Sequence, residues 1–242
     1  MIIGMKCVNE EKYVKRCISD FHDEPFCERI IVIDGWSNDH TVQELKHFSK
    51  VEVFSHYWDN NYHNMEVLQS NILLSYIPEN ELMMILDFDE KMSQELKDKL
   101  NEINKSPNIV PYKGIAHFSR ATFELMRYEN SPHAIIGEDG WPIIHHQIGQ
   151  YPDYQCRLIR KHHEIHWVNS PHHILKGWER NINFDVDIIH YEKEDYRDRI
   201  MIEKKWARAQ AIRRELNLTA DVFEATAKPE IAEFYDPETW LK

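Results

Sequence analysis

The chain has no long apolar run. Its longest, residues 30–33 and 82–86, fall far short of the ~20 residues that a membrane-spanning helix needs. The opening Met1-Ile2-Ile3-Gly4-Met5-Lys6 meets Glu10 and Glu11 almost at once. A basic segment leading into a longer apolar core is missing, so a signal peptide is not expected. Cysteine is scarce: Cys7, Cys17, Cys27 and Cys156 form no Cys-x-x-Cys pair. They read as reduced thiols of a cytoplasmic protein, mostly buried as small hydrophobes. Positive charge is in deficit, with 29 Lys and Arg against 41 Asp and Glu, a net charge of −12. That argues against a general binder of nucleic acid or anionic membrane, because phosphate surfaces select basic patches. A phosphate-bearing small ligand, held by a metal ion and a few local cations, stays open. There is no internal repeat and no low-complexity tract.

What is present is a chain of 242 residues, 42% hydrophobic and 12% aromatic. That suits one large domain, or one domain with a small appendage, with a real core, and excludes intrinsic disorder. Residues 1–105 alternate strand and helix signals. Strands are expected at 1–8, 29–34, 51–54 and 82–86. Between them, Val14, Cys17, Ile18 and Phe21 share one helical face, Val42, Leu45 and Phe48 another, and Met65, Leu68, Ile72, Leu73 and Tyr76 a longer one. Ser93 is placed to cap a helix carrying Leu96, Leu100 and Ile103. This order implies an α/β domain with a mainly parallel sheet and helices on both faces. Ligands of such sheets bind outside the carboxyl ends of the strands. Three polar clusters stand at those ends: Val8-Asn9-Glu10-Glu11, Asp34 to Thr41, and Asp87 to Glu90.

The second half reads differently. Strands are expected at 109–118, 121–126, 154–159 and 184–189, with a loop at 137–150. Residues 191–216 suggest a charged helix, and 219–242 a mixed tail. The division expected is a ligand-binding half (1–105), a mixed β and helical second half of the same domain (106–218), and the tail (219–242).

Asp87-Phe88-Asp89-Glu90 carries the strongest local chemistry. Two carboxylates at i and i+2 past a buried strand can turn toward one cation, and hard oxygen donors suit Mg²⁺ or Mn²⁺. Such an ion bridges a diphosphate and neutralises a departing phosphate. The plain alternative is a solvated acidic turn ahead of a helix. Asp34-Gly35-Trp36-Ser37-Asn38-Asp39-His40-Thr41 offers short polar groups for a base or ribose; its alternative is an Asx turn capping the next helix. Asn9 could equally cap a helix.

Taken together, Val8-Asn9-Glu10-Glu11, Ile33-Asp34-Gly35-Trp36-Ser37-Asn38-Asp39-His40-Thr41 and Leu86-Asp87-Phe88-Asp89-Glu90 resemble the GT-A glycosyltransferases of the family-2 type in order and spacing. Tyr62-His63-Asn64 resembles that family's asparagine segment. The resemblance covers about the first 105 residues. It implies a GT-A, Rossmann-like fold and a nucleotide-sugar donor, a UDP- or GDP-sugar first. Asn9, Glu10, Asp34, Ser37, Asp39 and Asn64 would surround the nucleoside. Asp87 would approach ribose and metal, and Asp89 would bind the Mn²⁺ or Mg²⁺ that holds the diphosphate. Phe88 stands where the family often has a small residue, which would alter how the sugar sits.

In the second half, Pro152-Asp153-Tyr154-Gln155-Cys156-Arg157-Leu158-Ile159-Arg160 is similar to a segment of a bacterial branch that decorates lipopolysaccharide cores. That branch follows it with a His-Glu pair, where this chain has His172-His173. Arg157 is then a candidate for the diphosphate. On an alternating strand Arg157 and Arg160 face opposite ways, so at most one of them should point in, and surface cations are the plainer reading. Many GT-A enzymes supply a late histidine to the metal, which points to His190. Candidates for the base that deprotonates the acceptor are Glu138 and Asp139, similar to a family Glu-Asp pair, with Asp153 and His172 competing. The chain has 15 histidines, yet His163-Glu164-Ile165-His166 is one residue short of a zincin motif, and zinc is disfavoured.

The expected activity is metal-dependent transfer of a sugar to a glycan or glycolipid hydroxyl, with inversion inherited from the resemblance. A sugar nucleotidyltransferase is disfavoured by Asn9-Glu10-Glu11 standing where a Gly-rich basic loop belongs. A non-catalytic glycan- or nucleotide-binding module on the same scaffold remains the other alternative. Residues 191–216, with Trp206 among lysines and arginines, are a candidate for peripheral contact at the inner face of the membrane, though a solvated helix packed on the body is the plainer reading.

Overall fold

The structure, a computed structural model, describes residues 1–59, 65–124, 136–141, 147–168 and 174–192. Its frame is built from the apolar runs noted above. Strands β1 (Ile2–Cys7), β2 (Arg29–Asp34), β3 (Val51–Ser55) and β4 (Leu82–Ile85) alternate with helices α1 (Glu11–Phe21), α2 (Thr41–Leu45) and α3 (Met65–Ser75). All four strands run parallel in the order β3-β2-β1-β4. The chain therefore steps outward from β1 to β3 and then returns to the far side of β1. That reversal defines the crevice at the carboxyl ends of β1 and β4, where open α/β sheets take their ligands.

After β4 come a short strand β5 (Glu90–Met92), helix α4 (Gln94–Lys105) and a 3₁₀ turn (Pro107–Ile109). The long strands β6 (Gly114–Glu124), β7 (Gln147–Arg160) and β10 (Arg180–Glu192) extend the same sheet, which reads β3-β2-β1-β4-β7-β6-β10-β5. β7 is antiparallel to both β4 and β6, and β5 is antiparallel to β10. β6 and β10 are parallel, so their carboxyl ends lie on the same edge as those of β1 and β4. A two-stranded ribbon, β8 (His166–Val168) with β9 (Ile174–Lys176), stands apart. This is the α/β, GT-A-like architecture implied by the resemblance.

Helices cover both faces because the strands are apolar on both. Ile3, Met5 and Cys7 pack with Val14, Cys17, Ile18 and Phe21 of α1 and Leu96, Leu100 and Ile103 of α4. On the other face, Ile2, Ile31, Ile33 and Met83 pack with Val67, Leu73 and Leu74 of α3 and with Trp167 and Leu175 of the ribbon. Asn71 of α3 pins the ribbon: its amide donates to the Trp167 carbonyl at 2.9 Å and accepts from the Trp167 N–H at 2.8 Å. Ser93 caps α4, its hydroxyl accepting from the Leu96 N–H at 3.1 Å.

Several second-half expectations are corrected. The strands expected at 109–118 and 121–126 are one strand, β6, starting only at Gly114; the residues ahead of it make the 3₁₀ turn. The loop expected through 150 ends earlier, because β7 begins at Gln147. Tyr191 and Glu192 belong to β10 rather than to a helix. The remainder of that expected helix, and the tail, lie outside the described residues. Among the described residues no helix is long and apolar enough to cross a membrane.

Candidate functional site

The loops after β1 and β2 are laced together by the motif residues themselves. The Asn9 N–H donates to Ser37 Oγ at 2.9 Å, and the Asn38 N–H returns a bond to Asn9 Oδ1 at 2.9 Å. The Glu10 N–H donates to Thr41 Oγ1 at 2.6 Å, and the Glu11 N–H to Asp39 Oδ2 at 3.2 Å. Asp39 Oδ1 also accepts from the Thr41 N–H and hydroxyl at 2.9 and 2.6 Å. Against the partial burial that would raise it, these donors hold the Asp39 carboxyl below its ordinary range. Asp34 is buried at 2% exposure and accepts from the Ser37 N–H at 3.2 Å. The polar groups expected around the nucleoside thus first hold the two loops in register. Asn9, at φ 58°, takes the left-handed turn that asparagine tolerates. At Gly35 a Cβ would lie 2.5 Å from Val8 Cγ2 and 2.8 Å from Trp58 Cβ, so only glycine lets the loops close.

Beside exposed Asn9, Glu11, Asn38 and His40, this edge shows two large aromatics to solvent. Trp36 is 64% and Tyr57 58% exposed, with ring centroids 5.0 Å apart. Sequence reading passed over both. Their signal was large aromatics inside otherwise polar turns.

Past β4 the chain makes a tight turn, the Glu90 N–H donating to the Asp87 carbonyl at 3.1 Å. Glu90 Oε2 reciprocates by accepting from the Asp87 N–H at 3.0 Å. The turn sends Phe88 into the core at 1% exposure, so the expectation that Phe88 alters the sugar seat is corrected: its ring packs inward. Asp87 and Asp89 remain at the crevice. Arg157 braces the turn, donating through Nη1 to Asp87 Oδ2 at 3.2 Å and through Nη2 to Glu90 Oε1 at 2.5 Å.

Arg157 reaches there because the β6–β7 register slips between Ala116 and His117, leaving it unmatched opposite them; a bulge re-aims a side chain in this way. Both arginines are therefore buried, contrary to strict alternation. Arg160 goes instead to the carbonyls of Val110, at 2.7 Å, and Pro107. The guanidinium of Arg157 is committed to carboxylates in this state, not held out toward a diphosphate.

Charges shape the pocket. Against its desolvation, Arg157 and Lys6 hold the Asp87 carboxyl well below the carboxylate range. Burial, opposed by Arg157 and seconded by Asp87, pushes Glu90 up. Lys6, a lysine in an otherwise apolar strand, was not singled out from sequence; its Nζ donates to Ser70 Oγ at 2.9 Å.

β10 delivers the third expected metal residue. The Tyr191 N–H donates to the Asp89 carbonyl at 2.8 Å, and His190 Nε2 lies 3.7 Å from Asp89 Oδ2. Both side chains are 12% exposed. Burial opposes the imidazolium, but the bond to Asp89 and the charges of Asp89 and Glu90 raise His190 above its ordinary pKa. The carboxylate is a donor suited to Mn²⁺ or Mg²⁺, and the imidazole is a donor that several divalent transition metals accept. Two donors each ~2.1 Å from one ion can lie up to ~4.2 Å apart, which the 3.7 Å separation satisfies. Among the described residues, no three His, Cys, Asp or Glu side chains form a ready metal cluster. Asp87, paired with Arg157, is not drawn in with the other two.

The base candidates separate. Asp139 is tied to Lys91 and accepts from the Trp141 N–H at 3.1 Å. These contacts outweigh its desolvation and lower its carboxyl. Asp153 is held by Arg120 Nε and Nη2 at 3.0 and 2.7 Å. Glu138 is exposed on the same turn as Asp139. Trp141 anchors that turn by stacking on Tyr191 at 4.5 Å, next to His190. Asn64 and His172 lie outside the described residues.

No protein-family model matches this chain, and no curated protein matches it. Solved structures do. The chain is similar to S. aureus TarS 1–349 in complex with UDP, at 14% identity and TM-score 0.48, covering 96% of this chain and 70% of that one. It is similar to the mannosyltransferase PcManGT from Pyrobaculum calidifontis in complex with GDP-Man and Mn²⁺, at 11% identity and TM-score 0.39, covering 50% and 35%. It is also similar to the 4-diphosphocytidyl-2C-methyl-D-erythritol synthase from Anaerococcus prevotii, at 14% identity and TM-score 0.38, covering 66% and 70%. Scores of this size describe a shared chain path, and the fold stands on its own strand order and register.

Proposed function

We propose that this chain is a metal-dependent glycosyltransferase that moves a sugar from a UDP- or GDP-sugar to a hydroxyl of a glycan or glycolipid, with inversion. The observation that carries this is the meeting of Asp89 and His190, 3.7 Å apart, at the carboxyl edge of the parallel strands. A divalent ion, Mn²⁺ or Mg²⁺, would be held by these two side chains and would supply charge neutralisation to the departing diphosphate. Asp87, oriented by Arg157, faces the ribose. Trp36 and Tyr57 offer their rings to the base, since the polar groups of the neighbouring loops already hold those loops together.

Among the described candidates Glu138 serves as the base, because Asp139 and Asp153 are committed to cations. It takes the acceptor hydroxyl proton as that oxygen attacks the anomeric carbon and the bond to the diphosphate breaks. The four cysteines are free thiols, which fits the cytoplasm, where we place the protein.

Incubating the chain with UDP- and GDP-hexoses, Mn²⁺ and mixed saccharide acceptors tests the reading. Release of nucleoside diphosphate that disappears in Asp89→Ala supports it. Release of pyrophosphate from a nucleoside triphosphate and a sugar phosphate would contradict it.

A further inference from the structure

The acceptor needs a surface of its own, and β7 and β10 present one. Tyr151 and Tyr154 of β7 are 52% and 38% exposed. Tyr151 donates its hydroxyl to the Asp187 carboxylate at 3.1 and 3.2 Å, and Tyr154 donates to Asp185. Both aspartates belong to β10, which is not adjacent to β7, since β6 runs between them. The contact spans a whole strand because the residue between is small. Ser119 pairs with Tyr154 on one side and with Asp187 on the other, and directly paired residues project from the same face. The β6–β10 register slips between Phe184 and Asp187, so Asp185 falls in a bulge, free of the strict alternation. Ser119 is 2% exposed, and its hydroxyl has no hydrogen-bond partner in the floor between these side chains.

We propose that Tyr151, Tyr154, Asp185 and Asp187 form a subsite for a neutral saccharide, the acceptor of the transfer; this rests on the glycosyltransferase reading above. The exposed rings match the C–H faces of a pyranose. Their hydroxyls are already anchored, so little side-chain freedom is lost on binding. A carboxylate accepts at about four positions, which leaves Asp185 and Asp187 with lone pairs for sugar hydroxyls. The buried Ser119 hydroxyl is a further unmet polar group in the same place. Two carboxylates on a chain of net charge −12 select against an anionic sugar, and the nearby Arg120 is committed to Asp153.

The test uses the full chain. Methyl hexosides, N-acetylhexosaminides, neutral disaccharides and hexuronates are titrated by saturation-transfer NMR, and UDP and GDP with Mn²⁺ by calorimetry. The subsite predicts binding of at least one neutral saccharide and none of the hexuronates. Tyr154→Ala and Asp187→Asn weaken that binding tenfold or more, while nucleotide Kd stays within twofold. Tyr154→Phe, which keeps the ring and loses the anchoring hydroxyl, gives a smaller loss. The proposal is overturned by neutral binding that Tyr154→Ala leaves unchanged, by equal binding of hexuronates, or by no saccharide binding in a chain that binds nucleotide. A wild-type chain that binds no nucleotide speaks against the glycosyltransferase reading instead.

Discussion

Arg157 ties Asp87 and Glu90 together at the turn after β4. It is 9% exposed at the side chain and pairs with a Glu90 that is fully buried. Removing one partner of such a pair leaves an uncompensated charge and costs about 3–5 kcal/mol. Arg157→Met should therefore lower stability by that order in urea unfolding, and adding Glu90→Gln should restore part of it. A loss under about 0.5 kcal/mol, the range of ordinary surface changes, would show that the pair does not brace the turn. Trp36 makes the opposite case. It is largely exposed, so Trp36→Ala should leave stability nearly unchanged. Stacking is worth about 1–3 kcal/mol per base, so nucleotide Kd should rise roughly 5- to 150-fold, read by calorimetry. An unchanged Kd would remove Trp36 from the donor site.

Elements show where sequence reading succeeded and where it could not. The helical faces of α1 and α4 and the Ser93 cap were legible because each is a local pattern of spacing. β5 was not: three residues are too few to show a period, and its partner, β10, is about 100 residues away. β6 looked broken in two because Arg120 interrupts its apolar run, and only the cross-strand Asp153 explains that arginine. The bulge that redirects Arg157 is likewise a property of paired strands, invisible in one of them. Two substitutions separate local support from the site. Gly35→Ala puts a Cβ against Val8 and Trp58, an overpacking worth about 1–3 kcal/mol, and should weaken nucleotide binding as the loops shift. Ser93→Ala removes a cap worth about 1 kcal/mol and should leave that binding intact. Equal effects of the two on ligand affinity would contradict the assignment of the β1 and β2 loops to the site.

The whole molecule joins two unlike halves through one sheet. The parallel half supplies Asp87 and Asp89, and the mixed half returns through β10 with His190. Residue patterns alone placed the aspartates at a strand end. That the late histidine meets Asp89 follows from the strand order, because β10 pairs with the short β5 that begins just past it. The Asp89–His190 pair exists only when the sheet is complete, so under the proposed function metal and nucleotide should stabilise the chain as a unit. The most direct measurement is thermal unfolding with UDP or GDP, with and without Mn²⁺, on wild type, Asp89→Ala and His190→Ala. A ligand that binds only the folded state raises Tm by mass action. The account predicts a rise that needs both one diphosphate and Mn²⁺ and is lost in each variant. A rise that persists in both variants, or none in folded wild type, would contradict it.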